Sequence, residues 1–186
     1  RLYLSGGFEA IDGAFARPPT STEQVLHPEK YLAGEIPLTV DGLSVDRALG
    51  SGWTEQDSGV LGELRTKMYL DTFLGAEQAA EAAAGWGGDR YALLKNRGGE
   101  LVIAVRFLWD TYADAREFFL AYQDAAAIKG KGQWDVYERT ENLVIWSGEG
   151  TAVYLSMAGE ETVLVIGPDL DVVIAAGLAT SASSGE

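Results

Sequence analysis

Between the turn signal Asn96-Arg97-Gly98-Gly99 and Asp110, the chain sets Leu101, Ile103, Val105, Phe107 and Trp109 in alternation with Val102, Ala104, Arg106 and Leu108. Side chains alternate across a strand, so a segment that is apolar at both parities hides both faces and belongs in the middle of a sheet. A central strand is therefore expected over residues 100–109. Residues 90–95 read as the strand before it, joined by a hairpin at Gly98-Gly99. Upstream, Gly85-Trp86-Gly87-Gly88-Asp89 reads as a tight turn: Gly85 suits the left-handed end of an alanine-rich helix carrying Ala76, Ala79, Ala80 and Ala83, and Trp86 is expected to plug the core below it. Downstream, Thr111 with Asp114 three residues on marks a helix start. Ala115, Phe118, Phe119, Tyr122 and Ala126 then recur at helical spacing.

After Gly130-Lys131-Gly132, four short strand candidates cover residues 134–139, 143–147, 151–157 and 162–166, with connections short enough for hairpins. A last helix is expected from Pro168-Asp169 onward, and the small polar tail over residues 180–186 is expected to fray. Residues 60–73 read as a helix with Val60, Leu61, Leu64 and Met68 on one face. Earlier still the pattern is turn-rich. Leu2, Leu4, Phe8, Ile11 and Phe15 suit helical turns on either side of Gly6-Gly7, Thr20 or Ser21 can open a capping box, and Pro28 ends one short helix and starts another. Residues 34–58 look irregular, with an edge-strand candidate over residues 36–40. The fold class is α+β: an antiparallel β-sheet meander with helices packed on it, preceded by a turn-rich N-terminal arm. The division is an arm over 1–58, a core over 59–180 and a tail over 181–186.

Composition narrows the function classes. The 186 residues carry 28 acidic and 14 basic side chains, a formal net charge of -14, so nucleic acid and anionic membrane surfaces are disfavoured as partners. There is no cysteine, which removes disulfides, thiolate zinc sites and cysteine nucleophiles. No apolar run approaches the roughly 20 residues that span a bilayer. The single histidine, His27, rules out a two-histidine zinc site and an H-E-x-x-H motif within this chain. No nucleophile elbow, P-loop or dinucleotide fingerprint occurs, and a Ser-His-Asp triad would have to use His27. No catalytic residue, cofactor or metal is assigned, and the chain reads as no enzyme.

Candidate binding residues remain. Glu23, His27 and Glu29 could converge on a cation; equally, Glu23 can cap a helix, His27 can bond a backbone carbonyl and Glu29 can be solvated. Trp86 and Asp89 could belong to an exposed aromatic ligand loop, or Trp86 could pack inward at a glycine turn. Asp110 and Asp114 are a further carboxylate pair, simply explained as helix-start residues. Trp134, Tyr137, Trp146 and Tyr154 could form an aromatic binding face on the meander, or could pack in the core.

Three motifs occur in order: Pro19-Thr20-Ser21-Thr22-Glu23-Gln24-Val25-Leu26-His27-Pro28-Glu29-Lys30-Tyr31, then Ala82-Ala83-Ala84-Gly85-Trp86-Gly87-Gly88-Asp89-Arg90-Tyr91, then Leu108-Trp109-Asp110-Thr111-Tyr112-Ala113-Asp114-Ala115. Together they resemble the C-terminal region of a family of uncharacterised bacterial and archaeal proteins, many of them exported, whose N-terminal part looks like a zinc metallopeptidase. The resemblance implies an accessory or structural domain outside the cytoplasm that contacts a protein partner or an upstream peptidase-like part; the family's zinc helix is lacking here. The alternatives it leaves are a residual hydrolase around His27 and a small-ligand-binding module. The layout of helices on a meander is also similar, at fold level, to photosystem extrinsic subunits of the PsbP type.

Overall fold

A computed structural model describes residues 2–182. Its elements run α1 (Leu2–Ala16), α2 (Thr22–Leu26), α3 (Pro28–Ala33), α4 (Val45–Leu49), β1 (Trp53–Gly59), α5 (Gly62–Leu74), α6 (Ala76–Ala83), β2 (Trp86–Asn96), β3 (Leu101–Trp109), α7 (Tyr112–Gly130), β4 (Asp135–Arg139), β5 (Leu143–Gly148), β6 (Thr151–Ala158), β7 (Glu161–Gly167) and α8 (Leu170–Ala182). The strands form one antiparallel sheet in the order β1-β2-β3-β7-β6-β5-β4. The fold is α+β. Helix α7 carries the chain from β3 to the far edge, and the meander β4 to β7 returns until Val105 of β3 lies opposite Leu164.

The two parities of β3 enter two separate cores. On one face Val105, Phe107 and Trp109 pack with Leu155 and Leu164 beneath Leu70 of α5, Ala79 and Ala82 of α6, and Phe118 and Tyr122 of α7. Phe118 sits 5.0 Å from Phe107 and 4.8 Å from Trp109, ring centre to ring centre. On the other face Val102 and Ala104 join Ile145, Tyr154, Val163 and Val165 beneath Val45 of α4 and Val173 and Ala176 of α8. Each fully buried large apolar side chain contributes about 1.5–3 kcal/mol, so these two layers dominate the stability. Local signals set the boundaries. The Thr111 hydroxyl accepts the Asp114 N–H at 3.2 Å and donates to Asp114 Oδ2 at 2.6 Å, opening α7. Gly99, at φ +89°, turns the β2–β3 hairpin.

Several expectations are corrected. Residues 34–58 are not irregular throughout, because α4 and the edge strand β1 lie there; β1 is polar and mostly exposed, so it lacks the apolar alternation that marks a strand. Residues 36–40 form no strand; only the Leu38 N–H reaches the sheet, donating to the Gly87 carbonyl at 2.7 Å. Strand β2 begins at Trp86 rather than at residue 90, so the Gly87-Gly88 pair is a register shift inside a strand and not a turn. Helix α5 buries Glu63, Thr66 and Leu70, while Val60, Leu64 and Met68 are exposed, so its inward face is not the apolar one. Helix α8 extends to Ala182, and the rest of the expected tail, residues 183–186, lies outside the described residues.

Helix α8 meets the sheet at Gly177, where an added Cβ would stand 2.5 Å from the buried Tyr154 ring. Overpacking of about 1–3 kcal/mol exceeds the roughly 1 kcal/mol that alanine gains over glycine in a helix, so Gly177→Ala is expected to lower the urea midpoint. Gly13→Ala on α1, with nothing within 4 Å of the new methyl, leaves the midpoint unchanged or slightly raised.

Candidate functional site

The bulge at the start of β2 places Asp89 beneath the first turn of α5. Asp89 Oδ1 accepts the Leu61 N–H at 2.7 Å, and Oδ2 accepts the Gly62 N–H at 2.7 Å and the Trp86 indole N–H at 2.8 Å. Both Asp89 and Trp86 are 2% exposed. Burial raises the Asp89 pKa, and the hydrogen bonds from Leu61, Gly62 and Trp86 oppose that rise. Gly62 is required to be glycine: its φ is +77°, and a Cβ would come within 2.5 Å of Thr22 Oγ1. Trp86 and Asp89 thus form one unit that caps a helix inside the core.

A second cluster joins the arm to this unit. The Lys30 ammonium lies 2.5 Å from Glu23 Oε1, 2.5 Å from Asp110 Oδ2 and 2.9 Å from Glu35 Oε1. Carboxylate oxygens of Glu23, Glu35 and Asp110 all lie within 4.8 Å of one another, a spacing that suits a cation, and the cation seated among them is Lys30 itself. Burial alone would lower the Lys30 pKa. The hydrogen bonds to Asp110, Glu23 and Glu35 outweigh it and hold the ammonium above the ordinary lysine value. Glu23, 2% exposed, is raised by burial, with Lys30 opposing.

His27 bridges two carboxylates, with Nε2 at 2.8 Å from Glu63 Oε1 and Nδ1 at 3.5 Å from Glu29 Oε1. Glu63 is 2% exposed, and its Oε2 has no hydrogen-bond partner. Burial raises the Glu63 pKa, against the pull of its hydrogen bond to His27. Glu23 on α2 and Glu29 on α3 thus flank His27 at the junction of the two short helices without all three converging: Glu23 pairs with Lys30, and His27 with Glu29 and Glu63. The helix α2 is capped by Ser21, whose hydroxyl accepts the Gln24 N–H at 3.2 Å. Sequence reasoning missed Lys30 and Glu63, since a lysine in a turn and a glutamate among helical apolar residues read as solvated groups. On the meander, Trp146 and Tyr154 are buried in opposite cores and Tyr137 is 60% exposed, so these aromatics make no common face.

Two outcomes follow from the geometry. Asp89→Ala strands two buried N–H donors, of Gly62 and the Trp86 indole, and the half-buried one of Leu61, and is expected to lose on the order of 3 kcal/mol in chemical denaturation. Glu63 tests the pH sign. Its folded pKa lies above the ordinary 4.5, so between those values the folded chain holds a proton that the unfolded chain has lost. Its contribution is complete below pH 4.5 and is lost as pH rises through the folded value. The stability of Glu63→Gln is therefore expected to fall less steeply than that of the wild type between pH 4.5 and neutrality, measured by urea denaturation across that range.

Residues 47–176 match a family described as a domain of unknown function (DUF8575). No curated protein matches the chain. Among solved structures, the extracellular domain of PknH from Mycobacterium tuberculosis is 15% identical, with 82% of this chain and 100% of that one covered and a TM-score of 0.48. Asp110, Asp89, Trp86 and Glu63 fall inside the family match, whereas Glu23, His27, Glu29 and Lys30 precede it. Because the matched residues include all seven strands, this chain belongs to the DUF8575 family.

Proposed function

We propose that the chain is a non-catalytic accessory module that works by protein–protein contact through its N-terminal arm. One observation carries this reading: helix α1 buries none of its residues, yet it displays Leu4, Phe8 and Phe15 at 86%, 72% and 83% exposure. Phe8, Ile11 and Phe15 recur at helical spacing after the kink at Gly6 and Gly7, which makes one apolar stripe. Removing such surface from water is worth about 25 cal/mol per Å², a sufficient drive for association. The acidic excess favours a partner whose apolar patch is rimmed by lysine and arginine. An upstream peptidase-like part and an extracytoplasmic location come from the motif resemblance, the PsbP-type analogy comes from the layout of helices on the meander, and all three belong to this proposal. Among the described residues, no helix is long and apolar enough to cross a membrane.

A hydrolase-like role around His27 is the second reading, supported by the buried Glu63 oxygen that has no hydrogen-bond partner. One set of experiments separates the two. A photoreactive benzoylphenylalanine at Leu4 is expected to crosslink a protein partner in cells of the native host, with the crosslink lost in Phe8→Ser/Phe15→Ser and absent when the probe replaces the exposed Tyr137. Crosslinking that ignores the two phenylalanines would contradict the contact role. Stoichiometric zinc that is lost in His27→Ala would favour the hydrolase.

A further inference from the structure

A crevice of about 470 Å³ opens where β1 ends and the arm takes its place beside β2. The last β1 pairing sets Gly59 opposite Tyr91, and beyond it Leu38 bonds to Gly87. One wall is apolar, formed by Leu38, Val60 and Trp86, and Arg65 and Arg90 also line the space. This chain has twice as many acids as bases, so a basic side chain near the surface usually finds a carboxylate. Yet among the described residues neither Arg65 nor Arg90 forms an ion pair. The only side-chain hydrogen bond of Arg90 there runs to Ser58 Oγ at 3.4 Å.

The nearby acids bond other donors. Asp89, which also lines the crevice and feels the Arg65 charge, gives its oxygens to three N–H donors, and Asp57 accepts the Tyr91 hydroxyl at 2.7 Å. Both arginines line this same crevice. On the arm side, the Ser21 and Thr22 hydroxyl oxygens accept the N–H groups of Gln24 and Leu64, which leaves each hydroxyl proton to be donated. The crevice thus combines two guanidinium groups, hydroxyl donors and an apolar wall.

We infer that this crevice binds a carboxylate attached to a small apolar group, with the forks of Arg65 and Arg90 holding the carboxylate and Leu38, Val60 and Trp86 covering the apolar part. Guanidinium is the side chain whose planar donors match a carboxylate at two points, and a few placed polar groups in an apolar cleft are the usual makings of a ligand site. Two sources share this chemistry: the C-terminal residue of a peptide and a free short-chain carboxylic acid. The assignment stands apart from the contact role of α1.

The test follows the Trp86 indole N–H resonance of the whole ¹⁵N-labelled chain during titration with N-acetyl-alanyl-leucine and with its C-terminal amide. The acid is expected to give a saturable shift at about millimolar concentration, and the amide to bind at least about tenfold more weakly. Arg65→Gln and Arg90→Gln are each expected to weaken the acid about tenfold or more, with the Trp86 signal of the free variants unmoved. 4-Methylpentanoate separates the sources: affinity equal to the dipeptide assigns a free acid, and weaker affinity a peptide terminus. Equal binding of acid and amide, arginine variants that bind like the wild type, or no saturable shift by about 10 mM would each overturn the inference.

Discussion

The buried carboxylate of Asp89 is the interaction on which the rest of this structure depends. An isolated carboxylate in the core would cost several kcal/mol, and here the N–H groups of Leu61 and Gly62 and the Trp86 indole offset that cost. The same three bonds fix where α5 begins, where Trp86 points and how β2 leaves α6. Once α5 is set, Glu63 and Thr66 face inward and Gly62 comes against Thr22 of the arm. A single side chain thus couples the sheet, two helices and the arm.

Residues 40–45 of the arm bury Val40, Leu43 and Val45, the last two in the second core, but the segment before them, residues 2–35, buries only Glu23 and Gln24 and is held by charge. Glu23 and Glu63 are buried acids, and each meets a base from the arm, Lys30 or His27. Such pairs add little net stability because desolvation consumes most of the attraction, but breaking one leaves a buried charge, so they enforce one arrangement. Lys30 fills the place that a metal would take among Glu23, Glu35 and Asp110, which makes the cluster self-sufficient as a structural knot. Tying down this segment with ions leaves Leu4, Phe8 and Phe15 outward. That division of labour underlies the proposed contact role of α1.

Much of the fold was legible. The two-sided apolar pattern of residues 101–109 announced the central strand, the Thr111–Asp114 pair announced α7, and the meander strands fell within a residue or so of their expected limits. What escaped did so for physical reasons. β1 is a polar edge strand that owes its conformation to pairing with β2, and no local periodicity records such pairing. The helix α5 was assigned the wrong face because its inward positions are taken by Glu63, which meets His27 of the arm, and by Thr66, whose hydroxyl donates to the Gly62 carbonyl one turn back, and neither reads as an inward residue from its type. The site was half visible. His27, Trp86 and Asp89 stood out by type, whereas Lys30 and Glu63 acquire meaning only once residues far apart in the chain are brought together.

Native-state hydrogen exchange at Leu61 and Gly62 tests the central claim most directly. If Asp89 clamps the start of α5 within the core, both amides and the Trp86 indole N–H exchange only with global unfolding, while the amides of α1 exchange far faster. Leu61 and Gly62 exchanging at the rate of exposed loop amides would contradict it.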